Sequence, residues 1–185
     1  MQNVLTVSSR EEFRQWLALH AAHSRECWIA CVRGKPQEGV FAYLDAVEEA
    51  LCFGWIDSVC RNVGGVSLQR FSPRKKSSPW TELNKERARR LIRLGLMTPR
   101  GRKALPPLGP RSYHPDGEVV TALKEARCYA KFKSFPPLYQ RIRISNVAFY
   151  RDVDPTIYQT ALDHLIRETK VGRMYGEWND YGRLL

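Results

Sequence analysis

No apolar run in this chain approaches the roughly 18 residues a membrane-spanning helix needs, so no span is expected. Histidine is scarce, at four residues, and His20-x-x-His23 has no cysteine or carboxylate at metal-ligand spacing. Neither a metal nor any other cofactor is therefore expected. The five cysteines, Cys27, Cys31, Cys52, Cys60 and Cys128, include no CxxC pair. They read as structural thiols in a reducing cytoplasm rather than a disulfide framework or zinc site. Missing too are a GxSxG elbow, a P-loop, a dinucleotide fingerprint and a Ser/His/Asp arrangement, so no residue is assigned catalysis. The N-terminal stretch has no basic flank leading into an apolar segment, so no signal peptide is expected and the location read from sequence is cytoplasmic.

Acid is scarce in one place. From Arg61 to Lys103 there are 13 Lys and Arg against only Glu82 and Glu86, and this segment alone equals the whole formal net charge of +11. Such a balance points to an anionic partner or to a solvating face. The length, 185 residues, suits one domain or a domain with an appended subdomain. About 70% of the unfolded surface is buried at this size, so neither disulfide nor metal is needed for stability.

Periodicity gives the elements. Val4–Val7 reads as a short strand, and Ser8-Ser9 before Glu11-Glu12 makes a doubled capping box for a helix from Arg10 to about Ala21. Phe13, Trp16, Leu17 and His20 form its core-facing stripe. Cys27–Val32 reads as a strand. Tyr43–Phe53 reads as a helix with Asp45, Glu48 and Glu49 outward, ended by Gly54. Trp55–Arg61 and Val66–Phe71 flank Asn62-Val-Gly-Gly65 as a β-hairpin, with Trp55, Asp57 and Val59 on one face and Leu68 and Arg70 on one face. Ser78-Pro79 is the expected start of a cationic helix to Leu94, and Thr98-Pro99 starts a short one. Proline-rich residues 106–117 read as a connector, with His114 in it. Three helices follow, His164 lies on the polar side of the last, and a tail from Tyr175 reads as loosely ordered. The expected fold is α+β: a small, mainly antiparallel sheet packed with helices over 1–105, then a C-terminal helical subdomain over 118–185.

EALCFGWIDS at 49–58, QRFSPRK at 69–75, the Ser-Pro-Trp-Thr run with Asn84, and Leu-Gly-Leu-Met-Thr-Pro-x-Gly resemble the bacterial YdeI/OmpD-associated, bacteriocin-protection-like family. The similarity is dense from Tyr43 to Gly101, looser from Phe132 to Gly172, and poor over 104–131. Members commonly have an acidic residue in the hairpin turn, where this chain has Asn62-Val-Gly-Gly65. The resemblance implies a role in envelope-stress or bacteriocin resistance and transfers no catalytic residue.

Trp55, Asp57, Arg70, Arg74, Lys75, Trp80 and Asn84 are the candidate ligand-binding residues. Cations beside ring faces are what an anionic small molecule or an acidic protein partner requires. Asp57 could instead pair with Arg70 across the hairpin. The first alternative is a nucleic-acid binder using Lys85, Arg89, Arg90 and Arg93, although no nucleic-acid-binding motif accompanies them. The second is an enzyme acting on an acidic or phosphorylated substrate with Asp57 as base. Oligomeric state is not legible.

Overall fold

The computed structural model describes residues 3–185. The fold is α+β, with the elements in two compact units. One comprises residues up to Pro79 together with Arg87–Pro106, and the other Trp80–Glu86 together with Pro107–Leu185.

In the first unit, β1 (Val4–Leu5) leads through α1 (Arg10–His20) into β2 (Cys27–Ala30), which runs parallel to β1. The doubled capping box is formed: Ser9 Oγ accepts from the Glu12 N–H, and the Glu12 carboxylate accepts from the N–H of Ser8 at 2.7 Å. Phe13 and Leu17 are fully buried on α1, while His20 is exposed and lies against the Trp16 ring, so the stripe ends one turn earlier than expected. α2 (Tyr43–Cys52) precedes a hairpin of β3 (Trp55–Val63) and β4 (Val66–Pro73). Its two-residue turn has positive φ at both Gly64 (+58°) and Gly65 (+84°), the backbone that favours glycine in such loops.

The sheet order is β1-β2-β4-β3. Register sets the faces. Cys27 and Asp57 both stand opposite Phe71, and Trp55 lies two residues before Asp57, so these residues share the face covered by α1, where Phe13 meets Phe71 at 5.5 Å. Between Asp57 and Cys60 a bulge breaks the alternation expected for Trp55, Asp57 and Val59. Buried Gln69 donates there to the carbonyls of Ser58 and Val59, at 3.2 Å each.

Glu48 and Glu49 on α2 are buried, not outward. Arg10 donates to both, Arg14 to Glu49, and Arg90 to Glu48, so all four carboxylate oxygens have a guanidinium partner at 2.6–2.8 Å. Burial works against the Arg10 charge, yet Glu49 and Glu48 hold its pKa above the ordinary value. The helix α3 (Glu82–Arg93) starts later than Ser78-Pro79 implies: Thr81 Oγ1 accepts from the Asn84 N–H, whereas Ser78 Oγ accepts from Lys75. α4 (Pro99–Lys103) is capped by Thr98.

The second unit holds α5 (Gly117–Glu125), α6 (Tyr129–Lys133), α7 (Pro137–Phe149) and α8 (Pro155–Lys170), and a single 3₁₀ turn, Pro110–Ser112, lies in the connector. Asp116 and Asp154 cap α5 and α8. Phe132, Tyr139, Ile142 and Leu165 form its core, each such side chain stabilising by about 1.5–3 kcal/mol on burial. The tail is ordered rather than loose: Trp178 is buried edge-on to Tyr139 at 5.6 Å, and Leu184 is buried as well.

Candidate functional site

Within the first unit, Trp55, Asp57, Arg70, Arg74 and Lys75 do not share one site. Trp55 is 1% exposed, its indole N–H donates to the Ala21 carbonyl, and its ring meets Trp16 edge-on. It is a core residue and offers no face to a ligand. Arg70 neighbours Phe71 on β4 and so lies on the opposite face of the sheet from Asp57. There it forms an ion pair with Glu26 at 2.6 Å rather than with Asp57.

Asp57 accepts the Tyr43 hydroxyl at 2.6 Å. The Arg33 guanidinium lies over the Tyr43 ring at 4.1 Å and donates to Gln69. Arg74 donates to the Pro79 carbonyl, and burial pushes its pKa down to about 10 while the Asp57 charge pulls it back up. Lys75 is exposed. Asp57 and Arg74 are therefore in electrostatic reach of one another, while Arg70 is excluded from their side.

Trp80 and Asn84 belong to the second unit. Trp80 and Lys85 line a cavity of about 360 Å³ together with Glu82, Tyr113 and Asp116. Lys85 is ion-paired to Glu82 at 2.7 Å. Glu82 Oε2 and the Tyr113 hydroxyl are buried there without hydrogen-bond partners, and Arg141 Nε, likewise buried and unpartnered, stands 4.0 Å from Glu82 Oε2. Burial pushes the Tyr113 hydroxyl up to about 12, with Glu82 adding to it. One acceptor, one donor and one hydroxyl left over together are what internal water satisfies. Of the proposed nucleic-acid contacts, Lys85 and Arg90 are thus committed to Glu82 and Glu48, Arg89 is half-buried and Arg93 is exposed.

A larger cavity, about 530 Å³, lies in the second unit between α7 and α8. From α7 come Arg143, Asn146, Val147 and Phe149. From α8 come Ile157, Thr160, Ala161 and His164, at the three- and four-residue spacing that puts side chains on one helix face. Tyr175 closes one side. Arg143 is 9% exposed, with its guanidinium 4.4 Å from the Tyr175 ring centroid and 5.4 Å from that of Tyr139. Its Nε is buried with no hydrogen-bond partner. Arg141 and Arg151 in the same unit hold Glu86 and Asp116, but among the described residues no carboxylate is ion-paired to Arg143.

Gly176 makes room for this guanidinium: a Cβ there would sit 2.7 Å from Arg143 Nη2. His164, expected on a polar face, lines the cavity with its ring 4.3 Å from Tyr175. Arg167 Nη2 lies 2.9 Å from His164 Nδ1, so that ring nitrogen is engaged on the side of the α8 surface.

Arg143 was absent from the sequence-derived candidates, although a signal exists. Tyr139, Arg143 and Val147 recur every four residues, so the arginine stands on the apolar stripe of α7.

No curated protein and no solved structure matches the chain. Residues 5–104, more than half of it, match a family described as Domain of unknown function (DUF8412). That match takes in β2 to β4 and α1 to α4 with the last residue of β1, and of the residues lining the larger cavity it includes Thr81 alone. The chain belongs to the DUF8412 family.

Proposed function

We propose that this protein is a non-catalytic binder of an anionic small molecule, with Arg143 as the anchor. One observation carries the reading: a guanidinium more than nine-tenths buried, without a carboxylate partner among the described residues, on the wall of a largely apolar cavity. Desolvating an ion costs several kcal/mol. Ring faces such as Tyr175 return about 0.5–2 kcal/mol of that. A bound anion supplies the remainder through charge-assisted hydrogen bonds. The cavity volume falls within the range of ligand pockets.

The anionic ligand expected from composition is kept in this reading, and its place moves from the Arg70–Lys75 segment to α7. The resemblance to the YdeI/OmpD-associated family supplies the setting we propose, the cytoplasm under envelope stress or bacteriocin exposure. The nucleic-acid alternative loses support from the ion pairs of Lys85 and Arg90. The enzyme alternative loses support from the Tyr43 hydroxyl already bound to Asp57.

Thermal unfolding with a panel of carboxylates, phosphates and sulfates tests the proposal. Ligand at 100 times its Kd stabilises the folded state by about 2.7 kcal/mol. At least one anion is expected to raise the Tm of the parent protein and to leave Arg143→Gln unshifted. A panel with no effect on the parent protein would reject the reading.

A further inference from the structure

We infer that the ligand of the Arg143 cavity is a monocarboxylate with a ring-bearing or branched apolar body, and that phosphate esters are discriminated against. This rests on the anion-binding reading above and narrows it to one chemical class.

Charge decides the head group. Arg143 is the one permanently charged side chain among those lining the cavity, which include no carboxylate. The His164 ring is engaged at Nδ1 by Arg167, whose own Nε is in turn paired with Glu168. A carboxylate neutralises a single guanidinium. A dianionic phosphate monoester carries a second charge that no permanent cation on this largely apolar lining neutralises.

Shape agrees with charge. Rings of Tyr175 and Tyr139 lie against the guanidinium, and Gly176 packs at Nη2. Arginine donors lie in the guanidinium plane, and a planar carboxylate matches that edge with two parallel hydrogen bonds. A tetrahedral phosphoryl group presents a third oxygen for which the lining offers no second cation.

The body of the ligand follows from the remaining walls. Val147, Ala161, Ile157, Phe149 and Tyr150 make most of that surface apolar. Phe149 and Ile157 are 43% and 45% exposed, so apolar area at the cavity is open to water until something covers it. Asn146 and Thr160 are the polar neighbours available to a hydroxyl or amide on such a body.

Calorimetric titration of the full chain tests the class, with 3-phenylpropanoate as probe and acetate, 3-phenylpropanamide and phenyl phosphate as comparators. The expected result is affinity for 3-phenylpropanoate at least tenfold above each comparator, and a further tenfold or greater loss in both Arg143→Gln and Arg143→Lys. Thr160→Trp, at an exposed position on the cavity wall, fills the space while leaving the buried arginine in the sequence and is expected to abolish binding with the fold intact. That variant keeps the test decisive if Arg143→Gln does not fold. Phenyl phosphate binding as tightly as the carboxylate, and lost in Thr160→Trp, overturns the ligand class while leaving the site in place. Equal binding of the carboxylate by the parent protein and Thr160→Trp overturns the site itself.

Discussion

Arg90 donates to Glu48 across 2.7 Å, tying the cationic helix α3 to a carboxylate with no exposed surface. Residues 61–103 have a formal balance of +11, but this cation is turned inward on its own unit. With Arg10 and Arg14 it encloses the Glu48–Glu49 pair, so part of a charge run that looks like a ligand surface is an interior clamp.

Glu48→Ala leaves Arg10 and Arg90 each without one of their acids. Removing one member of a buried ion pair costs about 3–5 kcal/mol. Chemical denaturation is expected to show a loss of that size with an unchanged m-value. A loss under about 1 kcal/mol would mean that water already screens the cluster, as at exposed pairs.

The clamp also shows where sequence reasoning stops. Ser8-Ser9 with Glu12, the Asn62–Gly65 turn and Asp154 before Pro155 were legible because their partners lie within a few residues. The partners of Glu48 and Glu49 lie 35–42 residues away, and a helix with three acids on one side reads as solvated when those arginines are out of view. Asp57 and Arg70 failed as a pair for a reason of parity: Phe71, not Arg70, stands opposite Asp57. The tail from Tyr175 looked loose because its polar composition hides Trp178, whose packing partner Tyr139 is on α7. Arg143 lies on the Tyr139–Val147 stripe of α7, but a single cation on an apolar stripe is a weaker sequence signal than the cationic density of residues 70–93.

Alkaline pH should weaken the fold through its thiols. Burial pushes Cys27 up to about 12 and both Cys52 and Cys31 up to about 11, above the unfolded value of about 8.5. A raised folded pKa gives stability that is complete below the unfolded pKa and lost as pH rises towards the folded one. Each thiol contributes a slope of about 1.4 kcal/mol per pH unit within that window. Urea unfolding at pH 8 and pH 10 is expected to show a lower midpoint at pH 10, with part of the difference removed in Cys27→Ala. In native protein, a thiol reagent should modify exposed Cys60 first and leave Cys27 and Cys52 protected until unfolding. Early modification of Cys27 would contradict the packing of β2.

Gly101→Ala tests the seat of α4 against α2. A Cβ at this position would lie 2.2 Å from the Cys52 carbonyl oxygen, which is backbone and cannot turn aside. Overpacking of this kind costs about 1–3 kcal/mol. A Tm equal to that of the parent protein would show that α4 shifts freely.

Gly176→Ala separates site geometry from backbone strain. Gly176 has φ +67°, where alanine costs roughly 1–2 kcal/mol. Its Cβ would also displace Arg143 Nη2. Gly182→Ala carries comparable strain at φ +94° with open space around it, so it serves as the matched control. Anion affinity is expected to fall at least tenfold in the first variant and to stay unchanged in the second. Equal affinity in both would remove Gly176 from the site.

The most direct measurement of the central claim is an arginine side-chain ¹H–¹⁵N spectrum titrated with 3-phenylpropanoate. One Nε–H resonance, assigned by its disappearance in Arg143→Gln, is expected to move and saturate with the ligand while the other arginine signals stay in place. A resonance that does not move at saturating carboxylate would contradict the claim that Arg143 anchors an anion.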